Sequence, residues 1–371
     1  MTKVLIVGGG IAGLSAAWAL GRRGFEVELF EQGPLPNPRA SSYDEHRILR
    51  HAYGTMENYG RLMPSAFKAW EALWKDLGRS HYEPCGAVYF LRHETPWYPA
   101  SRRTLEAAGL GCREIPVDEA LQRFPMIRPE GLIRVIETEG AGILSPAKIL
   151  TDLVVLLGAM GVQLHAGCRV VEIDPDRPCA LADGTRHSAD VLIVAAGAWV
   201  GQLVPPLLDV AQPSRQAVLF LAPPPHLAKP WASAPVLVDD RPEEGCYALP
   251  PRQGTRLKIG DHLFTRRGDV DGDRTATDED VARLRHVAAL AFRDFDTYTV
   301  LERKACYYTV TEDERFIIRP VGTAAWVLSA CSGHGFKFGT LMGEIVAAAA
   351  AGECSPDEAT HLAAGTITAS S

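Results

Sequence analysis

Residues 4–31 restrict what this chain can fold into more than any other stretch. Val4-Leu5-Ile6-Val7 is a continuous apolar run, the pattern of a strand buried on both faces. It leads directly into Gly8-Gly9-Gly10-Ile11-Ala12-Gly13, a match to G-x-G-x-x-G. Apolar residues from Leu14 to Leu20 recur at helical spacing, Gly24 closes the helix, and Val27-Glu28-Leu29-Phe30 reads as a second strand. The sum is one β-α-β unit. In such a unit Gly8 permits the tight turn, Gly10 lets backbone approach a pyrophosphate, and Gly13 lets helix and strand pack closely. The helix start at Ile11 and Ala12 offers amide donors and a positive dipole end. Glu31 ends the second strand, placed to accept bonds from ribose hydroxyls, and its charge disfavours a 2′-phosphate. The expectation is a bound FAD or NAD; the motif does not separate the two.

The chain has 371 residues, more than one small core usually supports. Val191-Leu192-Ile193-Val194 is another buried strand, running into Ala195-Ala196-Gly197, and Trp326-Val327-Leu328 is a last one. Between them, strands at 214–221, 234–238, 246–249 and 255–262 read as antiparallel, separated by Pro/Gly-rich turns. Further strands are expected at 85–91, 162–164, 170–173 and 300–310. Helices are expected at 64–77, at 145–160 behind a Ser145 cap and Pro146, at 277–291 and at 335–350, with a short one near Ser41–Asp44. The fold class that follows is α/β: a Rossmann-like cofactor domain, discontinuous over 1–80, 145–205 and 312–371. A mixed or antiparallel-sheet substrate domain over 81–144 and 206–311 is inserted in it.

Charge and cysteine usage remove several function classes. A net charge of −7 with no basic block argues against nucleic acid. The apolar start is broken by glycines, unlike a signal sequence, and no segment is long and apolar enough to span a bilayer. The eight cysteines are scattered without a C-x-x-C pair, which disfavours a disulfide framework or a zinc site and fits a reducing cytoplasm. Asp269, Asp271 and Asp273 miss the calcium-loop spacing and read as a turn. The terminal Thr-Ala-Ser-Ser is not a peroxisomal address.

Four places carry candidate chemistry. Arg47 and Arg50, spaced i, i+3, share a face if their segment is helical, and one guanidinium of such a pair can grip a carboxylate in bidentate fashion. Arg256, Lys258, Gly260 and His262 share one strand face, a polar face suited to a cavity. Lys337 follows Gly333-His334-Gly335 just inside the last helix, whose first amides favour negative charge. Cys306 stands in Lys304-Ala305-Cys306-Tyr307-Tyr308-Thr309; an exposed thiolate there could attack an electron-poor ring, whereas a buried strand thiol is inert.

These segments in this order resemble the D-amino-acid oxidase superfamily of flavoproteins, closest to its monomeric sarcosine oxidase and N-methyltryptophan oxidase branch. Ser41-Ser42 with Arg47-Ile48-Leu49-Arg50-His51-Ala52-Tyr53 carry the likeness. So do Leu257-Lys258-Ile259-Gly260 with His262, Cys306-Tyr307-Tyr308-Thr309, Asp313 to Ile318, and Gly333 to Phe338. The resemblance implies FAD, held at Gly8, Gly10, Ile11, Ala12, Gly13, Glu31, Ser41, Ser42, Arg47, Val170, Ala196, Gly197, Trp199, Gly333, His334, Gly335, Phe336 and Lys337. It implies a thioether from Cys306 to the flavin 8α carbon. By the same likeness Arg50 and Lys337 hold the substrate carboxylate, and Lys258 activates oxygen at flavin N5. Arg47 lies at the flavin, while His262, Tyr247, Tyr308 and His334 shape the pocket. The implied activity is oxidation of a small secondary-amine amino acid by O2, yielding an imine and hydrogen peroxide, in a cytoplasmic monomer with no metal. A dehydrogenase with another acceptor, an oxidase of a larger cyclic substrate and a non-catalytic flavin protein are the competing readings. The chain departs from the branch at Tyr43-Asp44-Glu45-His46, where sarcosine oxidases tend to have His-Gly-Asp-Thr.

Overall fold

The computed structural model describes residues 1–367. The end of the expected 312–371 segment and the terminal Thr-Ala-Ser-Ser lie outside the described residues.

The β-α-β unit sits at the centre of a six-stranded sheet. Its strand order is Ile317–Val321, Ala325–Ser329, Val191–Val194, Lys3–Val7, Glu26–Glu31, Gln163–Ala166. All neighbours are parallel except the hairpin of the first two. The apolar run of the first strand is divided between two cores. Val4 and Ile6 face helices Ile11–Arg22, Glu57–Leu77, Pro146–Ala159 and Gly339–Ala350. Leu5 and Val7 face a second cluster with Leu192, Val194, Ala180 and Val327, closed by the three-stranded sheet Val170–Asp174, Cys179–Ala182, Thr185–Ser188. A strand with a core on each side has no polar face to alternate with.

An eight-stranded sheet follows the order Thr299–Val310, Gln212–Ala222, Leu257–Asp261, Cys246–Leu249, Val236–Asp240, Ala87–Leu91, Arg134–Thr138, Cys112–Ile115. It is antiparallel except where Val236–Asp240 pairs in parallel with Ala87–Leu91, so the sheet is mixed, and the strands expected to be antiparallel over 214–262 are so. Alternation divides its two faces. Val88, Phe90, Leu219, Leu237, Ala248, Leu257 and Ile259 pack in one core with helix Asp278–Ala291 residues Leu284 and Ala288. Tyr89, Gln216, Val238, Tyr247, Lys258 and Tyr308 fall on the other parity.

Several expected elements are different. Ser41–Asp44 forms turns, not a helix, because strand Arg47–Arg50 follows and pairs with Ala141–Leu144. The 64–77 helix starts at Glu57 and carries Pro64 inside it. Ser145 makes no side-chain cap bond, although Pro146 does open that helix. The last expected helix is split into a 3-10 turn, Gly335–Phe338, and helix Gly339–Ala350. A further helix, Pro356–Ala363, was not expected.

Candidate active site

A cavity of about 970 Å³ has walls from both large sheets. On the side of the β-α-β unit, Gly8, Gly10, Ile11, Ala12, Glu31, Ser41 and Ser42 line it, as do Val170, Ala196, Gly197 and Trp199. Gly8 has φ +112°, and a Cβ added there would lie 2.4 Å from Ala195 O. Gly13 does not line the cavity; a Cβ there would lie 1.9 Å from Gly8 O, so its role is the close packing of helix on turn. Glu31 is buried, and its two carboxylate oxygens accept from Gly9 N (2.8 Å), Gly33 N (2.9 Å) and Asn37 Nδ2 (2.8 Å). That fixes the carboxylate at the cavity wall while leaving acceptor capacity for hydroxyls. Ser42 Oγ accepts from Ile11 N at 3.0 Å, at the helix start. This cradle, too tight at Gly8 and Gly13 for any side chain, fits the pyrophosphate and ribose of a dinucleotide.

The remainder of the wall carries four basic side chains together with the acids Asp261, Glu312, Asp313 and Glu314. Arg47, Arg50, Lys258 and Lys337 all line it, with Tyr247, His262, Tyr308, Gly333, His334, Gly335 and Phe336. Arg47 and Arg50 lie on a strand, not a helix, so the shared-face argument fails. They reach the same cavity because their side chains are long. Arg47 donates to Ser41 O (2.9 Å) and Tyr308 OH (3.0 Å) and pairs with Asp44 at 3.1 Å. Arg50 donates to Tyr89 OH at 3.2 Å, and the Nε of each arginine is buried without a partner.

Lys258 is fully buried, contrary to an ordinary solvated strand lysine. Its Nζ donates to Asp44 Oδ2 (2.9 Å) and His46 O (2.7 Å), leaving one of three protons unused. Burial lowers its pKa, Asp44 opposes this, and the result is about 8. Burial alone would raise the Asp44 carboxyl, but the Lys258 and Arg47 cations hold it well below the usual carboxylate range. Arg256, expected on the same face, turns away to Glu45 and Glu302 and lies over the Phe220 ring.

Lys337 is 5% exposed, and the hydrogen bond of its ammonium is a long 3.4 Å contact to His334 O. Burial, reinforced by Arg50 and Arg47, pushes its pKa well below that of an ordinary lysine. Among the described residues neither Lys337 nor Arg50 has a carboxylate within ion-pair distance. His334 is committed elsewhere: Nε2 lies 2.9 Å from Glu314 O and must donate, so Nδ1 accepts from Tyr53 OH at 3.1 Å. The ring stacks on Phe316, and burial pushes its pKa down to about 3. It is a fixed neutral wall rather than a proton carrier.

Cys306 shares the strand parity of Tyr308 but is not among the residues lining the cavity. It is half-buried, and burial raises its thiol, with Arg47 partly offsetting. In this structure it is a half-buried thiol, not an exposed thiolate. Gln216, Cys331 and Trp97 are among the cavity residues that the sequence did not single out as site residues. Trp97, with its ring 4.2 Å from that of Tyr89, opens a helix that no periodicity announced. Asp44 escaped too, because its partner is 214 positions away.

The profile of the family described as DAO, FAD dependent oxidoreductase, matches residues 3–349. N-methyl-L-tryptophan oxidases of Yersinia pestis (strain Pestoides F) and Yersinia pseudotuberculosis (serotype O:1b) are 27% identical over 370 residues, covering 95% of this chain and 96% of theirs. Among solved structures, NikD, an amino acid oxidase of nikkomycin biosynthesis, superposes with a TM-score of 0.80 at 20% identity, covering 96% of this chain and 95% of NikD. Amadoriase II of Aspergillus fumigatus gives 0.80 at 20% identity, covering 98% and 88%. L-proline dehydrogenase of P. horikoshii gives 0.79 at 17% identity, covering 95% and 94%. These structural likenesses speak to the fold.

Proposed function

The chain belongs to the FAD dependent oxidoreductase family, and on that footing we propose that it oxidises a small amino acid carrying a secondary amine, N-methyl or cyclic. The observation that carries this is the pair Arg50 and Lys337 on one cavity wall with no carboxylate of their own: a guanidinium cation beside a lysine whose proton burial disfavours until an anion lies against it. A buried cation without a counter-ion is expensive unless a ligand supplies one, and a substrate carboxylate does. The names of the 27%-identical relatives support an N-methyl amino acid in particular.

When bound, FAD supplies a two-electron acceptor. Arg50 and Lys337 hold the carboxylate and so aim the amine and its neighbouring C–H bond. His334, neutral and pinned, adds no competing charge. Trp97, Val236, Val238 and Leu249 exclude water on the side of the eight-stranded sheet. Lys258 presents its third proton where oxygen would accept charge, making O2 the acceptor and hydrogen peroxide the product. The proposal includes a thioether from Cys306 to FAD, and the division into a cofactor domain (1–80, 145–205, 312–371) and a substrate domain (81–144, 206–311). Eight free cysteines support the reducing cytoplasm, and the proposal includes a monomer.

The test is anaerobic mixing of the yellow protein with sarcosine, N-methyltryptophan, proline, pipecolate, glycine and D-amino acids. Bleaching by a secondary amine, and not by its primary analogue, is expected. No bleaching by any of them rejects the substrate class. Acid precipitation of the same protein leaves the yellow colour in the pellet if Cys306 is bonded to FAD, and Cys306→Ala releases it.

A further inference from the structure

The four cavity cations are not equivalent. Arg50 and Lys337 face open space, whereas Arg47 and Lys258 share one anion. Asp44 is 4% exposed, and its Oδ2 lies 2.9 Å from Lys258 Nζ and 3.1 Å from Arg47. Its other oxygen accepts from Glu45 N at 2.8 Å. It comes from the segment Tyr43-Asp44-Glu45-His46, where the chain departs from the sarcosine-oxidase pattern.

We propose that Asp44 is the positioning residue of Lys258: its carboxylate keeps the ammonium charged and fixed, with the free proton toward the cavity. The inference rests on the oxidase reading above and deepens it. Geometry supports it. A Lys258 bonded by His46 O alone would be a buried cation beside Arg47 with nothing opposing deprotonation. Other groups face the lysine from the packed elements. Arg47 and His46 from 44–47 and Cys306 from Thr299–Val310 act with Lys258, while Lys304 and Tyr308 from Thr299–Val310 and Tyr247 from Cys246–Leu249 act with its partner Asp44. On its own strand, Arg256 and Asp261 are paired elsewhere, with Glu45 and Arg283. Burial raises the thiol and both phenols, and His46 is neutral above about 3. Asp44 is therefore the anion that acts on Lys258 through the neutral range.

The sign follows. With Asp44 present the ammonium loses its proton near pH 8. Without it, burial and Arg47 act in the same direction, and removing an opposite charge at this distance lowers a pKa by about 1–3 units. Two readouts follow pH: the visible spectrum of the oxidised flavin, and the rate at which air recolours dithionite-reduced protein. In the parent protein both are expected to change with a midpoint near 8 and recolouring to be faster below it. Asp44→Asn should move both midpoints down by about 1–3 units and slow recolouring at pH 7 by about twofold for a one-unit shift and about tenfold for a two-unit shift. An unmoved midpoint overturns the proposal. So does faster recolouring of Asp44→Asn, which would mean the carboxylate only cancels charge. If Asp44→Asn retains no flavin, Asp44→Glu should keep the midpoint near 8 and Lys258→Met should abolish the transition; its persistence in Lys258→Met overturns the idea. A spectral midpoint that shifts in a parent protein slow with air at every pH upholds Asp44 and rejects oxygen as acceptor.

Discussion

At the residue scale, function here is a matter of which charges are answered within the protein. Lys258 and Arg47 are answered by Asp44, and Glu31 by backbone amides and Asn37. Arg50 and Lys337 are not answered. Truncating one partner of a buried hydrogen-bonded charge pair costs about 2–5 kcal/mol. Arg50→Met and Lys337→Met are therefore each expected to raise the concentration of an amino-acid substrate needed for half-maximal bleaching by about 30-fold or more. A decarboxylated analogue of the same amine should lose little. Equal losses for the acid and the decarboxylated amine would show that these cations do not hold the carboxylate.

At the element scale, the strand Lys3–Val7, the turn and the helix Ile11–Arg22 were legible because local pattern and buried position agree. The same holds for Val191–Val194 and for helix 277–291, whose Thr277 and Asp280 form a reciprocal cap. Legibility failed where pairing overrides pattern. Arg47–Arg50 is a strand because Ala141–Leu144 lies beside it, and nothing in its four residues says so. Tyr82–Glu83 is too short to carry a period, and helix Pro225–Ser233 contains prolines that read as a turn. The site followed the same rule: most of the motif residues line the cavity, although Gly13 and Cys306 do not, and Trp97 and Gln216, placed by tertiary contact, were not expected there. Gly13→Ala tests the turn as a unit. Its methyl would meet the Gly8 carbonyl oxygen, backbone that cannot rotate away. Protein purified with this change is expected to carry less than about a tenth of the parent's flavin colour per chain. Thr277→Ala, far from the turn, should cost about 1 kcal/mol of stability and leave the colour unchanged. Full flavin content in Gly13→Ala would mean the close packing is not needed for binding.

At the scale of the whole molecule, the two large sheets have separate cores and both line one large cavity. One side of that cavity offers Glu31 and the glycine turn; the other offers Lys258, Tyr247 and Trp97. A ligand that touches both sides ties the sheets together and binds only the folded state, so it stabilises by RT ln(1 + [L]/Kd), about 2.7 kcal/mol at 100 times Kd. The argument distinguishes a whole dinucleotide from its halves. FMN reaches the cationic wall without the Glu31 cradle, and ADP reaches the cradle without the cationic wall. Cys306→Ala protein stripped of flavin is expected to melt several degrees below the loaded protein. FAD should restore the melting temperature in a concentration-dependent way, while FMN and ADP, each at saturation, should restore less than FAD does. Calorimetry of the stripped protein with each ligand decides it. If FMN alone restores the full value, the Glu31 side contributes no stability, and the cavity works as a mononucleotide site despite its glycine turn.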